Sequence, residues 1–139
     1  MEHVRTVRVV AAVVERDGKY LITQRRPAAV LPLLWEFPGG RVEESETDAE
    51  ALSREVKHRL GVDIRVGQLI SFVTHPYERY SVDLYLYECH ISGGEPASLA
   101  VHAFKWVTSN EFDQYAFTPA DEASMNKLLG MEPGKLGER

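Results

Sequence analysis

Apolar and polar positions alternate along this chain in two different rhythms, and the change of rhythm divides it into elements. Val7 to Val14 is a β-branched apolar run and Tyr20 to Arg25 a second strand-like segment. The Asp17-Gly18 pair between them is a strong hairpin signal, so the two are expected to pair antiparallel. Pro27 to Pro32 reads as a loop; "LLWEF" resumes an extended pattern and "PGG" stops it. From Thr47 to Leu60 the period lengthens, with Ala49, Leu52, Val56 and Leu60 recurring at three- and four-residue steps as on the buried face of a helix. Thr47 is the expected N-cap, Asp48 and Glu50 suit the positive end of the helix dipole, and Gly61 is the expected left-handed stop. Strand-like runs follow at Ile64 to Thr74, Ser81 to Ile91 and Ala103 to Val107, with "TSNEF" starting a short helix or turn. Thr118-Pro119 opens a last helix through Leu129, closed by Gly130. Strands, one long helix, more strands and a final helix predict an α/β fold, a mixed sheet sandwiched between helices. One domain is expected over residues 1–130, with a disordered tail over 131–139.

Composition narrows what such a domain does. At 139 residues and 44% hydrophobic the chain has enough for one core, and no apolar run approaches the roughly 20 residues that cross a bilayer. "MEHVRTVRVV" lacks the sections of a secretory signal and Cys89 has no cysteine to pair with, so a reducing cytoplasm is expected. A net charge of -5 argues against an extended nucleic-acid partner, while a small anionic ligand needs only a local basic pocket. His75, His90 and His102 lack the tight spacing of a zinc site.

The candidate chemistry lies in one frame. Gly40, five residues, Glu46, seven residues, then Arg54-Glu55-Val56 and finally Gly61-Val62 resemble the Nudix box, which reads Gly, five, Glu, seven, Arg-Glu-apolar, one, Glu-Glu, one, Gly-apolar. Within that superfamily the chain looks most like the MutT type, which clears oxidised guanine nucleotides by pyrophosphohydrolysis, and the resemblance runs from about Val7 to about Leu129. It implies the Nudix fold, a nucleotide or other phosphorylated small molecule as partner, and a magnesium or manganese ion if the chain is active. It also implies named roles: Arg54 with Glu46 as the pair that orders the box loop, Glu55 and the Gly40 carbonyl as metal ligands, Arg25 on phosphate, Glu36 of "WEFPGG" at the substrate, and Asp121 of "FTPADEASMNKL" at the base edge. Nudix domains often pair, so a homodimer is a further expectation.

Two box positions depart from the pattern. Carboxylates at i, i+3 and i+4 of a helix share one face and together offer the oxygen ligands magnesium requires. Here the partners of Glu55 at those steps are His58 and Arg59. The exchange moves the local charge by about +3 at neutral pH. Imidazole can ligate zinc or manganese, but guanidinium has no lone pair to give and repels a cation. At an effective dielectric near 20, one misplaced charge about 4 Å away costs on the order of 4 kcal/mol. The family's further acid, commonly from the loop before the Trp106 strand, is missing too, because Pro96 to Val107 contains no Asp or Glu.

Three readings of His58-Arg59 stand side by side: solvated residues, a remodelled metal site, or an anion site in which Arg59 replaces the metal and, with Arg25, holds phosphate. Glu43 and Glu44 are either substitute acids from the loop or simply exposed. Asp121 is a reader of the base, an ordinary third residue of the last helix in a capping arrangement after Thr118, or both. Trp35, Trp106, Tyr85 and Tyr87 are read as core and sheet-face residues. Two function classes follow: a nucleotide-recognising domain with hydrolysis weak or lost, and an active hydrolase with a substitute metal ligand. Protein interaction alone sits poorly with Arg25 and Asp121 in one chain.

Overall fold

A strand that is apolar at consecutive positions needs cover on both faces, and that requirement organises the fold. The computed structural model describes residues 5–131. Its first strand, β1 (Arg5–Arg16), turns its consecutive residues to two separate cores. Val10, Ala12 and Val14 belong to one, with Leu52, Val56 and Leu60. Ala11 and Val13 belong to the other, with Phe37, Phe112, Met125 and Leu128. The remaining elements are β2 (Lys19–Gln24), β3 (Trp35–Glu36), β4 (Gly39–Arg41), α1 (Asp48–Leu60), β5 (Asp63–Pro76), β6 (Tyr80–Gly93), β7 (Ala103–Val107), a 3-10 turn at Ser109–Gln114 and α2 (Pro119–Met131). The sheet is mixed, ordered β3-β2-β1-β6-β5, with β4 also paired to β1 and β7 to β2. The β1–β6 pairing is parallel, from Arg5 opposite Tyr80 to Val14 opposite Cys89. Helix α1 covers one face and α2 the other, as the order of elements predicts.

The hairpin forms where the sequence signals it: Asp17 and Gly18 both have positive φ, 53° and 77°, and Arg16 pairs with Lys19. Helix α1 has the caps read from its sequence. Thr47 accepts from the Glu50 amide while the Glu50 carboxylate accepts from the Thr47 amide, and Gly61 is left-handed at φ 77°. Burying Leu52, Val56 and Leu60 contributes roughly 1.5–3 kcal/mol for each side chain.

Two helical details differ from the expectation. Ala49 is exposed and Ala51 is buried instead, because the first turn faces the sheet through Asp48, which Arg8 and Tyr87 hold, and residues 51 and 52, three and four steps on, share that face. Gly130 does not close α2, which runs on to Met131; a glycine within a helix costs about 0.5–1 kcal/mol relative to alanine but does not by itself end one. Met131 therefore belongs to the helix, and the rest of the tail lies outside the described residues.

Both ends of α1 are fixed to the sheet side. Arg8 in β1 grips both oxygens of Asp48 at 2.8 Å, while its guanidinium lies 3.9 Å from the Tyr85 ring centre, and the Tyr87 hydroxyl donates to the same carboxylate. At the other end, the amides of Leu99 and Ala100 donate to the Arg59 carbonyl at 3.1 and 3.0 Å, and that of Ala97 to Leu60 at 2.9 Å. The loop that lacks acids thus supplies main-chain caps.

Candidate functional site

The residues of the box frame meet around Arg54. Its Nε lies 2.6 Å from Glu46 Oε2, its Nη2 donates to Glu46 Oε1 at 2.9 Å and to the Arg41 carbonyl at 3.0 Å, and its Nη1 donates to Glu55 Oε2 at 2.8 Å. Glu46 also accepts from the Glu43 amide. Arg54 and that amide hold the Glu46 carboxyl down to about 2. One guanidinium therefore ties the loop, the end of β4 and the helix together.

Glu55 lies over Gly40. A Cβ on Gly40 would come within 2.3 Å of Glu55 Cδ and 2.6 Å of Oε1, so only glycine leaves room for the carboxylate. Gly39 is as constrained by the neighbouring strand, since a Cβ there would lie 2.0 Å from the Val10 carbonyl. The same oxygen of Glu55, Oε1, accepts from Arg59 Nε at 2.8 Å, while Oε2 accepts from Arg54. Its carboxylate is thus held between two guanidiniums.

That donor set does not fit the family's divalent ion. Both Glu55 oxygens are engaged by cations, the i+4 position carries a permanent positive charge, and no group of three or more His, Cys, Asp or Glu side chains among the described residues could hold a metal. Gly40 lines the cavity below Glu55; the other glutamates of that cavity are Glu36, paired with Arg25, and Glu43. His58 is exposed and lies off the cavity, because the open side of α1 is the side of Arg59. Glu44 is exposed, whereas Glu43, also exposed, stands at the cavity edge.

The cavity measures about 550 Å³, within the ordinary range for a small-molecule site. Gly40, Glu55 and Arg59 line one wall. On another, Arg25 Nη1 donates to both oxygens of Glu36 at 3.3 Å and its Nε to the Val30 carbonyl at 2.6 Å. Asp121 closes the deep end. The Trp35 amide donates to Ala116 and the Thr118 amide to Trp35, which lays the start of α2 against β3. Asp121 there accepts from the Phe37 amide at 2.9 Å and the Thr118 hydroxyl at 2.7 Å. The Asp121 amide in turn donates to the Thr118 hydroxyl at 3.3 Å, so Asp121 takes part in the cap of α2 and also reaches across to Phe37, just past β3. Burial raises the Asp121 carboxyl to about 7, with the nearby Glu36 adding to the rise. Burial raises Glu36 as well, against the pull of Arg25 and Arg59.

Arg25, Glu36, Glu55, Arg59 and Asp121 are brought to one cavity, with Gly40 beneath, and Arg54 and Glu46 stand behind its wall. The sequence reading missed Arg5, Arg41, Arg79, Tyr77 and Tyr80, which also line it. Arg41 directly follows the two glycines and was within reach of that reading. Arg5 and Arg79 were not, because only the parallel β1–β6 register places the start of β1 beside Tyr80.

A mixed sheet between two helices, with a glycine-seated helix acid facing an arginine-lined cavity, defines a single-domain α/β fold of the Nudix type. The NUDIX domain family model matches residues 9–127, and the chain belongs to that family. It is 36% identical over 134 residues to the CTP pyrophosphohydrolase of Escherichia coli (strain K12), covering 94% of this chain and 97% of that protein. It is 34% identical over 120 residues to a putative 8-oxo-dGTP diphosphatase 2 of Mycobacterium tuberculosis, covering 81% of each. The solution structure of the E. coli ORF135 protein superposes with a TM-score of 0.80 at 30% identity, covering 94% of both chains. No helix among the described residues is long and apolar enough to cross a membrane.

Proposed function

We propose that the cavity takes a nucleoside triphosphate, with the base at Asp121 and Phe37 and the polyphosphate toward Arg25, Gly40 and Arg59. In this reading, hydrolysis to the monophosphate and pyrophosphate runs far below the rate of an ordinary enzyme. The observation that carries it is the Glu55 carboxylate held at 2.8 Å by both Arg54 and Arg59. A carboxylate so neutralised has little affinity left for a cation, and the helix position four residues on carries a guanidinium where the family's box has a carboxylate. The substrate class is supported by the relatives, whose names specify CTP and 8-oxo-dGTP. A buried carboxyl beside a backbone amide offers both a donor and an acceptor to a base edge when it is protonated.

A second reading is favoured by those same relatives, which are hydrolases by name over almost the whole chain. In it the chain is an active pyrophosphohydrolase whose metal is held by a substitute set, with Glu43 or Glu36 joining Glu55 after Arg59 swings away. Magnesium or manganese is then the cofactor; the first reading requires none.

Pyrophosphate release from CTP, 8-oxo-dGTP and the common triphosphates separates the two, measured with magnesium, manganese or no metal on the natural chain and on His58→Glu/Arg59→Glu. The first reading expects the natural chain to be silent or at least about a hundredfold slower than the double variant. Turnover of the natural chain at about 1 per second or faster, ordinary for an enzyme, establishes the second.

A further inference from the structure

Arg59 is bound to Glu55 through Nε alone. Among the described residues its two terminal nitrogens have no protein acceptor, although the side chain is only 27% exposed and lines the cavity. A guanidinium that spends one donor on a carboxylate keeps the planar fork of the others, the geometry that matches two oxygens of a phosphate. Four more arginines share the cavity: Arg5, Arg25, Arg41 and Arg79. Arg25 is paired with Glu36; among the described residues Arg5, Arg41 and Arg79 have no carboxylate partner. Against five arginines stand Glu36, Glu43, Glu55 and Asp121, and burial moves Glu36 and Asp121 toward the neutral form. The cavity of an acidic protein is thus locally cationic, and it is so without a metal.

We propose that this chain takes polyphosphate directly on its arginines, with Arg59 standing where a divalent cation would otherwise bridge the helix to the ligand, so that binding is independent of metal. The identity of the ligand as a nucleotide rests on the reading above; the metal-free capture of polyphosphate does not. Magnesium neutralises about two charges of a triphosphate, so in a site whose counter-charge is built of arginine it weakens the ligand instead of recruiting it.

The test measures binding of inorganic tripolyphosphate and of CTP by calorimetry, in EDTA and in excess magnesium, to the natural chain and to Arg59→Gln and Arg59→Lys. The expected result is binding in EDTA as tight as in magnesium or tighter, at least about tenfold weaker in Arg59→Gln, with Arg59→Lys between the two because it keeps the charge and loses the fork. Thermal unfolding of each variant establishes that it is folded, and Arg59→Lys keeps the test decisive if Arg59→Gln is not. Binding by the natural chain that appears only with magnesium overturns the proposal and leaves the nucleotide reading standing. Equal affinity of natural chain and Arg59 variants in EDTA overturns it as well. Tripolyphosphate captured in EDTA through Arg59, with CTP and 8-oxo-dGTP no tighter than tripolyphosphate, upholds the proposal and removes the nucleotide reading.

Discussion

Arg59 Nε donates to Glu55 Oε1 at 2.8 Å, four residues along one helix, and the pair faces the cavity with the Glu55 side chain 13% exposed. In isolation an i,i+4 pair on a helix surface contributes only a few tenths of a kcal/mol. Here it lies against Gly40, with Arg54 on the second oxygen, so its geometry is set from three sides.

Gly40→Ala tests how firmly that geometry is held. The new Cβ would meet Glu55 Cδ at 2.3 Å, and Glu55 cannot move aside without leaving both arginines. A loss of about 1–3 kcal/mol is expected from urea unfolding. The same change made in a Glu55→Ala background costs less, because the obstructing side chain is gone; equal costs in the two backgrounds would show that the strand, and not Glu55, resists the methyl group.

Glu46→Gln has a signed pH dependence. The natural carboxyl is held down to about 2 from an ordinary 4.5, so its contribution to stability is fully present above pH 4.5 and disappears as pH falls toward 2. The melting temperature of the variant is therefore lower at neutral pH, and the gap narrows on acidification. A gap that stays constant from pH 7 to pH 3 would mean that charge at Glu46 contributes nothing to the loop.

Asp121→Asn runs the opposite way. Its carboxyl is raised from 3.8 to about 7, so the folded chain holds a proton that the unfolded chain has released. Stability associated with that proton is present below the unfolded value and is lost as pH rises through the folded one, at about 1.4 kcal/mol for each unit of separation. The variant, neutral throughout, gains on the natural protein between pH 4 and 7. The Thr118 hydroxyl can turn to accept from the new amide. Unfolding curves at pH 5 and pH 8 that shift in parallel for the two proteins would refute this.

Thr47→Ala removes the acceptor of the Glu50 amide and half of the reciprocal cap at the start of α1. The expected cost is about 1 kcal/mol by chemical denaturation. Since Asp48, one residue on, is gripped by Arg8, the helix keeps its position and the loss is confined to stability.

What the sequence displayed was local. The Asp17-Gly18 turn, the Thr47 cap, the Gly61 stop and the apolar stripe of α1 each depend on neighbours a few positions away, and each is found in place. The exception within α1, Ala51 buried in place of Ala49, follows from the contact of Asp48 with Arg8 and Tyr87 of the sheet, a long-range contact that periodicity does not fix. Contacts between distant segments were not legible. Phe37 and Asp121 are 84 positions apart and become partners only because the segment before α2 lies along Trp35. Arg5 and Arg79 reach the cavity by the parallel register of β1 and β6. The absence of a second and third carboxylate was legible from the box itself, but the sequence left open that the guanidinium at 59 would settle on Glu55.

The amides of Leu99 and Ala100 on the Arg59 carbonyl have a bearing on speed. They fix the main chain of Arg59, so in the proposed mode, with Nε kept on Glu55, turning the free terminal nitrogens toward a phosphate would involve side-chain torsions alone. If polyphosphate docks as proposed, its capture is expected to run as fast as correctly oriented encounters occur, on the order of 10⁵–10⁷ M⁻¹s⁻¹, so that differences in affinity between ligands would reside in how long each one stays.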